Sequence, residues 1–233
     1  QENYNESILC FEEILKSNPK DPDTLNNLGS IYVKKLDLKK ATDYYKKAIQ
    51  AYPSFAIAYN NLGNVYKREK NFIEAISSYK KAIKIRPDYA QAFFNLAVSQ
   101  QELKKYNDAI NSCYESLRIS PNFQDAHYFL GNLLKKVKKY EDAYSHFGKV
   151  ESQIAKAQLL ECLYFLKKDK KYEKNLNELI KTDKTNIRVA ALNTFVSHQN
   201  KKPDTYPFCP NPLDFIYKRN IKFNFESFDD FLV

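Results

Sequence analysis

Four prolines, Pro19, Pro53, Pro87 and Pro121, stand 34 residues apart in succession. A fixed period of this size marks a stack of supersecondary units, and it limits the fold before any single residue is considered. Other columns keep the same step: Leu28-Gly29, Leu62-Gly63, Leu96-Ala97 and Leu130-Gly131; Ala41, Ala75, Ala109 and Ala143; Tyr45, Tyr79, Cys113 and Phe147.

Each unit reads as two amphipathic helices. In 56–89, Tyr59, Leu62, Gly63 and Tyr66 fall at i, i+3, i+4 and i+7, and Phe72, Ala75, Ile76, Tyr79, Ala82 and Ile83 repeat that spacing. This is helical rather than strand periodicity. Gly63 and Ala75 are small enough to let two backbones approach, with Tyr66 and Tyr79 filling the remaining space. Pro87 lacks an N–H and stops the second helix. A unit cannot bury its apolar face alone, so neighbours must stack into one core. The expectation is all-α.

The motifs N-N-L-G-x-x-Y at 26–32 and 60–66, and A-x-x-x-Y-x-x-A at 41–48 and 75–82, resemble the tetratricopeptide repeat (TPR) family. The resemblance implies a right-handed superhelical solenoid of helix-turn-helix repeats, with first helices lining a concave groove. Repeats are assigned to 22–55, 56–89, 90–123, 124–155 and 156–185, the last matching loosely. Residues 1–21 fit only a second helix. Because the chain starts at Gln1 and contains no Met, a fragment or processed chain is expected. Residues 186–200, with Ile187, Ala190, Ala191 and Phe195, read as a capping helix. Residues 201–233 hold Pro203, Pro207, Pro210 and Pro212 and should form an extended tail that packs on the last helices. Its Y-P-F-C-x-x-P-L-D-F segment resembles a junction in bacterial repeat proteins that precedes a 2-oxoglutarate/Fe(II) oxygenase-like domain. That domain's H-x-D ligands are not found here, and no catalytic residue is assigned.

The resemblance places Asn27, Asn61 and Asn95 on the groove floor. Asn forms helices poorly. Its amide can pair with both the N–H and the C=O of an extended peptide. The pattern resembles the asparagine ladder of the O-linked N-acetylglucosamine transferase repeat domain and ends at Phe129. Asn26, Asn60, Asn64, Phe94, Tyr128 and Asn132 would add contacts, and Lys67, Arg68 and Lys135 would supply charge at the rim. A chaperone carboxylate clamp is not expected, because its basic positions carry Asn26, Asn60, Asp23, Ile57 and Gln91.

The chain carries a net charge of +9. The turns inside each repeat (34–40, 67–70, 104–105, 135–139 and 167–171) hold 17 Lys or Arg against Asp37, Glu69 and Asp169, a local charge of +14. Such an edge draws anionic partners. Solvation of exposed turns is the first reading of these lysines; as a docking edge, an acidic protein is expected ahead of nucleic acid, because no aromatics interleave with the basic residues.

His127, His146 and His198 match no metal or catalytic spacing, and Cys113 and Cys162 fall in packing columns. No cofactor and no enzymatic activity are expected. The uncharged stretch Ala48–Tyr66 contains Gln50, Asn60, Asn61 and Asn64 and is too polar to span a membrane. Four Cys, none in C-x-x-C, fit a reducing compartment and a cytoplasmic location. The functional expectation is a protein-interaction scaffold that holds an extended peptide or protein in its groove. Alternatives are the recruiting arm of a larger oxygenase-like or glycosyltransferase enzyme, and a structural protein that self-associates through its tail.

Overall fold

A computed structural model describes residues 2–182, together with Val189, Asn193, Val196 and Ser197. All regular structure among them is helical. The order is α1 (Glu2–Ser17), α2 (Pro22–Lys34), α3 (Leu38–Ala51), α4 (Ala56–Arg68), α5 (Phe72–Ile85), α6 (Ala90–Glu102), α7 (Tyr106–Ile119), α8 (Gln124–Lys136), α9 (Tyr140–Phe147), α10 (Gln153–Phe165) and α11 (Asp169–Thr182). The chain divides into two compact units, Gln1–Ala126 and His127–Val233, with the division inside α8. The sequence suggested one uninterrupted array.

The prolines act as expected. Tyr52 and Arg86, which close α3 and α5, are extended at φ −137° and −129°. The ring of the following proline disfavours helical geometry in the residue before it. Helix starts are capped where the sequence supplies an acceptor. Asp21 accepts from the Thr24 N–H at 2.8 Å, Asp37 from Lys40 at 3.0 Å, and Ser152 from Ala155 at 3.1 Å.

Within each repeat the glycine column is a close-approach site. A Cβ on Gly29 would lie 2.6 Å from the Tyr45 ring, one on Gly63 2.6 Å from Tyr79, and one on Gly131 2.7 Å from Phe147. In the third repeat the helix carries Ala97, and the facing residue shrinks to Cys113. Both are fully buried. The added methyl and the missing ring are complementary departures, so packing density is kept.

The turn from first to second helix follows one geometry throughout. Leu36, Lys70, Lys104, Lys138 and Lys167 have φ between 55° and 62°. At the first turn, the Leu36 N–H donates to Val33 O and the Asp37 N–H to Tyr32 O, at 3.1 and 2.9 Å. This paired closure is the Schellman motif. It recurs at the other four turns, where Asn71, Lys105, Lys139 and Lys168 make the longer-range bond. The positive-φ residues are spaced by 34 up to Lys138, whereas Lys167 follows after 29. The shortening falls on α9, which has 8 residues where α3, α5 and α7 have 14.

Leu28, Ile31, Tyr45, Leu62 and Val65 form a core in the first unit, with Ile8 of α1 packed against them. In the second unit, Leu160, Leu163, Tyr172, Leu176 and Leu179 enclose Val189 and Val196. Val189, Asn193, Val196 and Ser197 are helical and fall within the predicted cap. Ile187, Ala190, Ala191 and Phe195 lie outside the described residues, as does the tail 201–233. So do the oxygenase-like junction and the proposed self-association through the tail.

Candidate functional site

The first helices of three successive repeats, α2, α4 and α6, border an open cavity of about 510 Å³ in the first unit. Ser30, Val33 and Lys34 line it from α2, and Asn61, Asn64, Lys67 and Arg68 from α4. Gln91 and Asn95 contribute from α6, and Tyr45 closes the floor.

Two of these residues are also joints between repeats. Asn61 Nδ2 donates to Asn26 Oδ1, and Asn95 Nδ2 donates to Asn60 Oδ1, each at 3.0 Å. Asn26 and Asn60 are buried, at 8% and 3% exposure. The expected ladder thus divides. Asn26 and Asn60 are acceptors in the inter-repeat seam rather than groove contacts. Asn61 and Asn95 each donate one N–H across repeats; Asn95 Oδ1 also accepts from Gln91 Nε2 at 3.4 Å, while the rest of the Asn61 amide lines the cavity. Asn27 is exposed and is not among the cavity-lining residues. Sequence reading missed the stagger, whose signal is a separation of 35 within each bonded pair, one more than the period.

A second row of polar contacts fixes the floor. The Tyr79 hydroxyl donates to Asn64 Oδ1 at 2.8 Å, and the Tyr45 hydroxyl sits 3.1 Å from Ser30 Oγ. Asn64 was expected only as a ligand contact, yet it also anchors the ring that fills the Gly63 site. Burial, offset in part by the Ser30 hydrogen bond, raises the Tyr45 pKa.

Lys67 is half-buried, and Arg68 is exposed beside it. Burial first, and then the Arg68 guanidinium, hold the Lys67 ammonium below the usual lysine range.

The remaining predicted site residues lie elsewhere. Phe94 packs on Phe123 with ring centroids 5.1 Å apart. In the second unit Tyr128 meets Phe147 edge-on at 5.8 Å, and Asn132 is half-buried. Lys135 is not a rim cation. Its Nζ lies 2.7 Å from Glu161 Oε1 and 2.8 Å from Gln158 Oε1, and both partners are buried. An aliphatic stem crossing a core brings its charge with it, and the charge then requires an internal counterion. His127 is buried, and its Nδ1 is 2.9 Å from Nδ1 of His146. No described helix is long and apolar enough to cross a membrane.

Comparison with known proteins agrees on the architecture. The family model of the tetratricopeptide repeat protein 21 C-terminal ARM domain matches residues 24–128. Among solved structures, YrrB, described as a TPR protein with an unusual peptide-binding site, aligns at 20% identity. It covers 77% of this chain and 95% of its own, with a TM-score of 0.66. PilF of Pseudomonas aeruginosa aligns at 18% identity over 83% of this chain and 90% of its own, with a TM-score of 0.71. MamA aligns at 23% identity over 72% and 92%, with a TM-score of 0.58. No curated protein matches in sequence.

Proposed function

Starting from a chain built of tetratricopeptide-type helical repeats, we propose that the groove of its first unit holds an extended segment of a partner protein. The observation that supports this reading is the cavity itself. It is open, about 510 Å³ in volume, and lined mainly by amides and cations fixed on rigid helices. Asn61 and Asn95 are oriented by their inter-repeat bonds before any ligand arrives, so little ordering entropy is lost on binding. Asn61 keeps a carbonyl oxygen and an N–H for main-chain groups, and the exposed Gln91, whose Nε2 lies 3.4 Å from Asn95 Oδ1, adds a second amide, which suits recognition that tolerates many sequences. The peptide-binding site that names YrrB lies in a protein of the same architecture, and this favours a similar use here.

The test is calorimetric titration of the full chain with a panel of extended peptides. Gln91→Ala and Asn61→Ala should each weaken binding about tenfold, the loss expected from roughly 1.4 kcal/mol of hydrogen bonding. Gln91 is exposed, so its substitution leaves the fold intact. Affinity unchanged in both variants would remove the groove from the proposal.

A further inference from the structure

The cavity is electrically lopsided. Lys34, Lys67 and Arg68 gather at one end, where α2 and α4 finish, and Gln91, Asn61 and Asn95 occupy the other. None of the residues lining the cavity is acidic. Among the described residues no carboxylate forms an ion pair with Lys67 or Arg68. This contrasts with Lys135, which the same chain buries against a carboxylate, Glu161, at 2.7 Å.

Lys67, the half-buried member of the three cavity cations, sits beside the exposed Arg68, and like charges so placed are unfavourable unless something neutralises them. The helix C-termini do so incompletely. Two macrodipoles supply about −0.5 charge each, against three full positive charges. The surplus is stationed on two successive repeats, Lys34 on one and Lys67 with Arg68 on the next.

We propose that the cation-bearing end of the cavity receives side-chain carboxylates of an acidic extended segment, with the segment's backbone continuing along Asn61, Gln91 and Asn95. This rests on the groove-binding reading above. Charge matching favours an acidic run over one chain-terminal carboxylate, because three cations spread over two repeats outnumber a single anion. The Arg68 fork can take one carboxylate through two parallel N–H bonds, and the two ammonium groups attract others as point charges. A peptide is favoured over a nucleic acid by the lining. The one aromatic there, Tyr45, is 2% exposed with its hydroxyl engaged by Ser30, so no ring face is offered to a base.

The test uses the full 233-residue chain and four probes: a peptide of alternating Glu and Ser, its Gln-for-Glu counterpart, the Glu peptide with an amidated C-terminus, and oligo-dT. Fluorescence anisotropy should show the Glu peptide binding at least about tenfold tighter than the Gln peptide, with amidation making no difference. Lys67→Gln combined with Arg68→Gln should erase that difference by lowering the affinity for the Glu peptide toward that of the Gln peptide. Far-UV circular dichroism of the variant should match the parent, and Lys34→Gln serves as the second variant. Equal, saturable binding of the Glu and Gln peptides would overturn the acidic preference while keeping the groove reading. Tighter binding of oligo-dT would overturn it in favour of a polyanion. Loss of preference on amidation would transfer recognition to a chain terminus. Absence of binding by every probe would remove the groove reading as well.

Discussion

Replacing glycine by alanine inside a helix ordinarily stabilises by about 0.5–1 kcal/mol. Gly63→Ala should do the reverse. The new Cβ would sit 2.6 Å from Cε1 and 2.8 Å from Cδ1 of Tyr79, against about 3.5–4.0 Å for carbon atoms in ordinary contact. The ring must retreat by about 1 Å, yet Tyr79 is fully buried and its hydroxyl is held by Asn64 at 2.8 Å. Overpacking of this kind costs about 1–3 kcal/mol, and stretching the hydroxyl bond adds about 1 kcal/mol. After subtracting the gain in helix propensity, the net loss is about 1–3 kcal/mol. That corresponds to a fall in Tm of roughly 2–12 °C at this chain length. Thermal melting followed by circular dichroism, with urea titration as a second measure, reads it directly. The third repeat provides the control. Cys113→Tyr alone should be strongly destabilising because Ala97 occupies the space the ring needs. Adding Ala97→Gly should recover most of the loss, a coupling visible in a double-mutant cycle. A Gly63→Ala protein that melts at or above the parent temperature would refute the packing argument.

Three further outcomes follow from named contacts. Lys70, Lys104 and Lys138 hold positive φ without the freedom of glycine. Substituting all three by Gly should therefore raise stability by about 1–3 kcal/mol, measured by urea denaturation. Burial, together with His127 and Lys149, depresses the pKa of His146 to about 4, against the opposing pull of Asp142. The unfolded chain then binds the proton first. Stability is complete above pH 6.5 and falls between pH 6.5 and about 4. With solvent screening the loss is about 1–2 kcal/mol, and His146→Gln should flatten it in a pH series of melts. In the second unit, Glu161→Leu alone should cost about 3–5 kcal/mol by leaving Lys135 buried without its partner. Lys135→Met combined with Glu161→Leu should restore parental stability or exceed it, as differential scanning calorimetry would show.

Much of the architecture was legible because the period is carried by residues with a steric job. Prolines end the second helices, and a small residue faces a large one across each pair. The turns were not legible as Schellman closures, because the residue at positive φ is Leu36 or a lysine at every one, and neither type signals a left-handed bend. In the sequence those lysines registered only as charge. The Asn register was read along the period of 34, whereas the bonds run diagonally between neighbouring helices and join residues 35 apart. Asn26 and Asn60 thus looked like ligands while serving as seams. Lys135 shared the profile of an exposed turn cation. Its counterion is Glu161, which lies beyond the next turn and outside any local pattern. The division within α8 leaves no compositional mark.

The diagonal amide joints make the modules interchangeable in a definite sense. Excising residues 56–89 would bring Asn95 to the place held by Asn61, opposite Asn26, and the severed seam would find a matching edge. Each aromatic plug travels with its own glycine, so the excision would orphan neither. Loss of that one period would therefore leave the joinery intact, whereas a cut of any other length would put every downstream edge out of step.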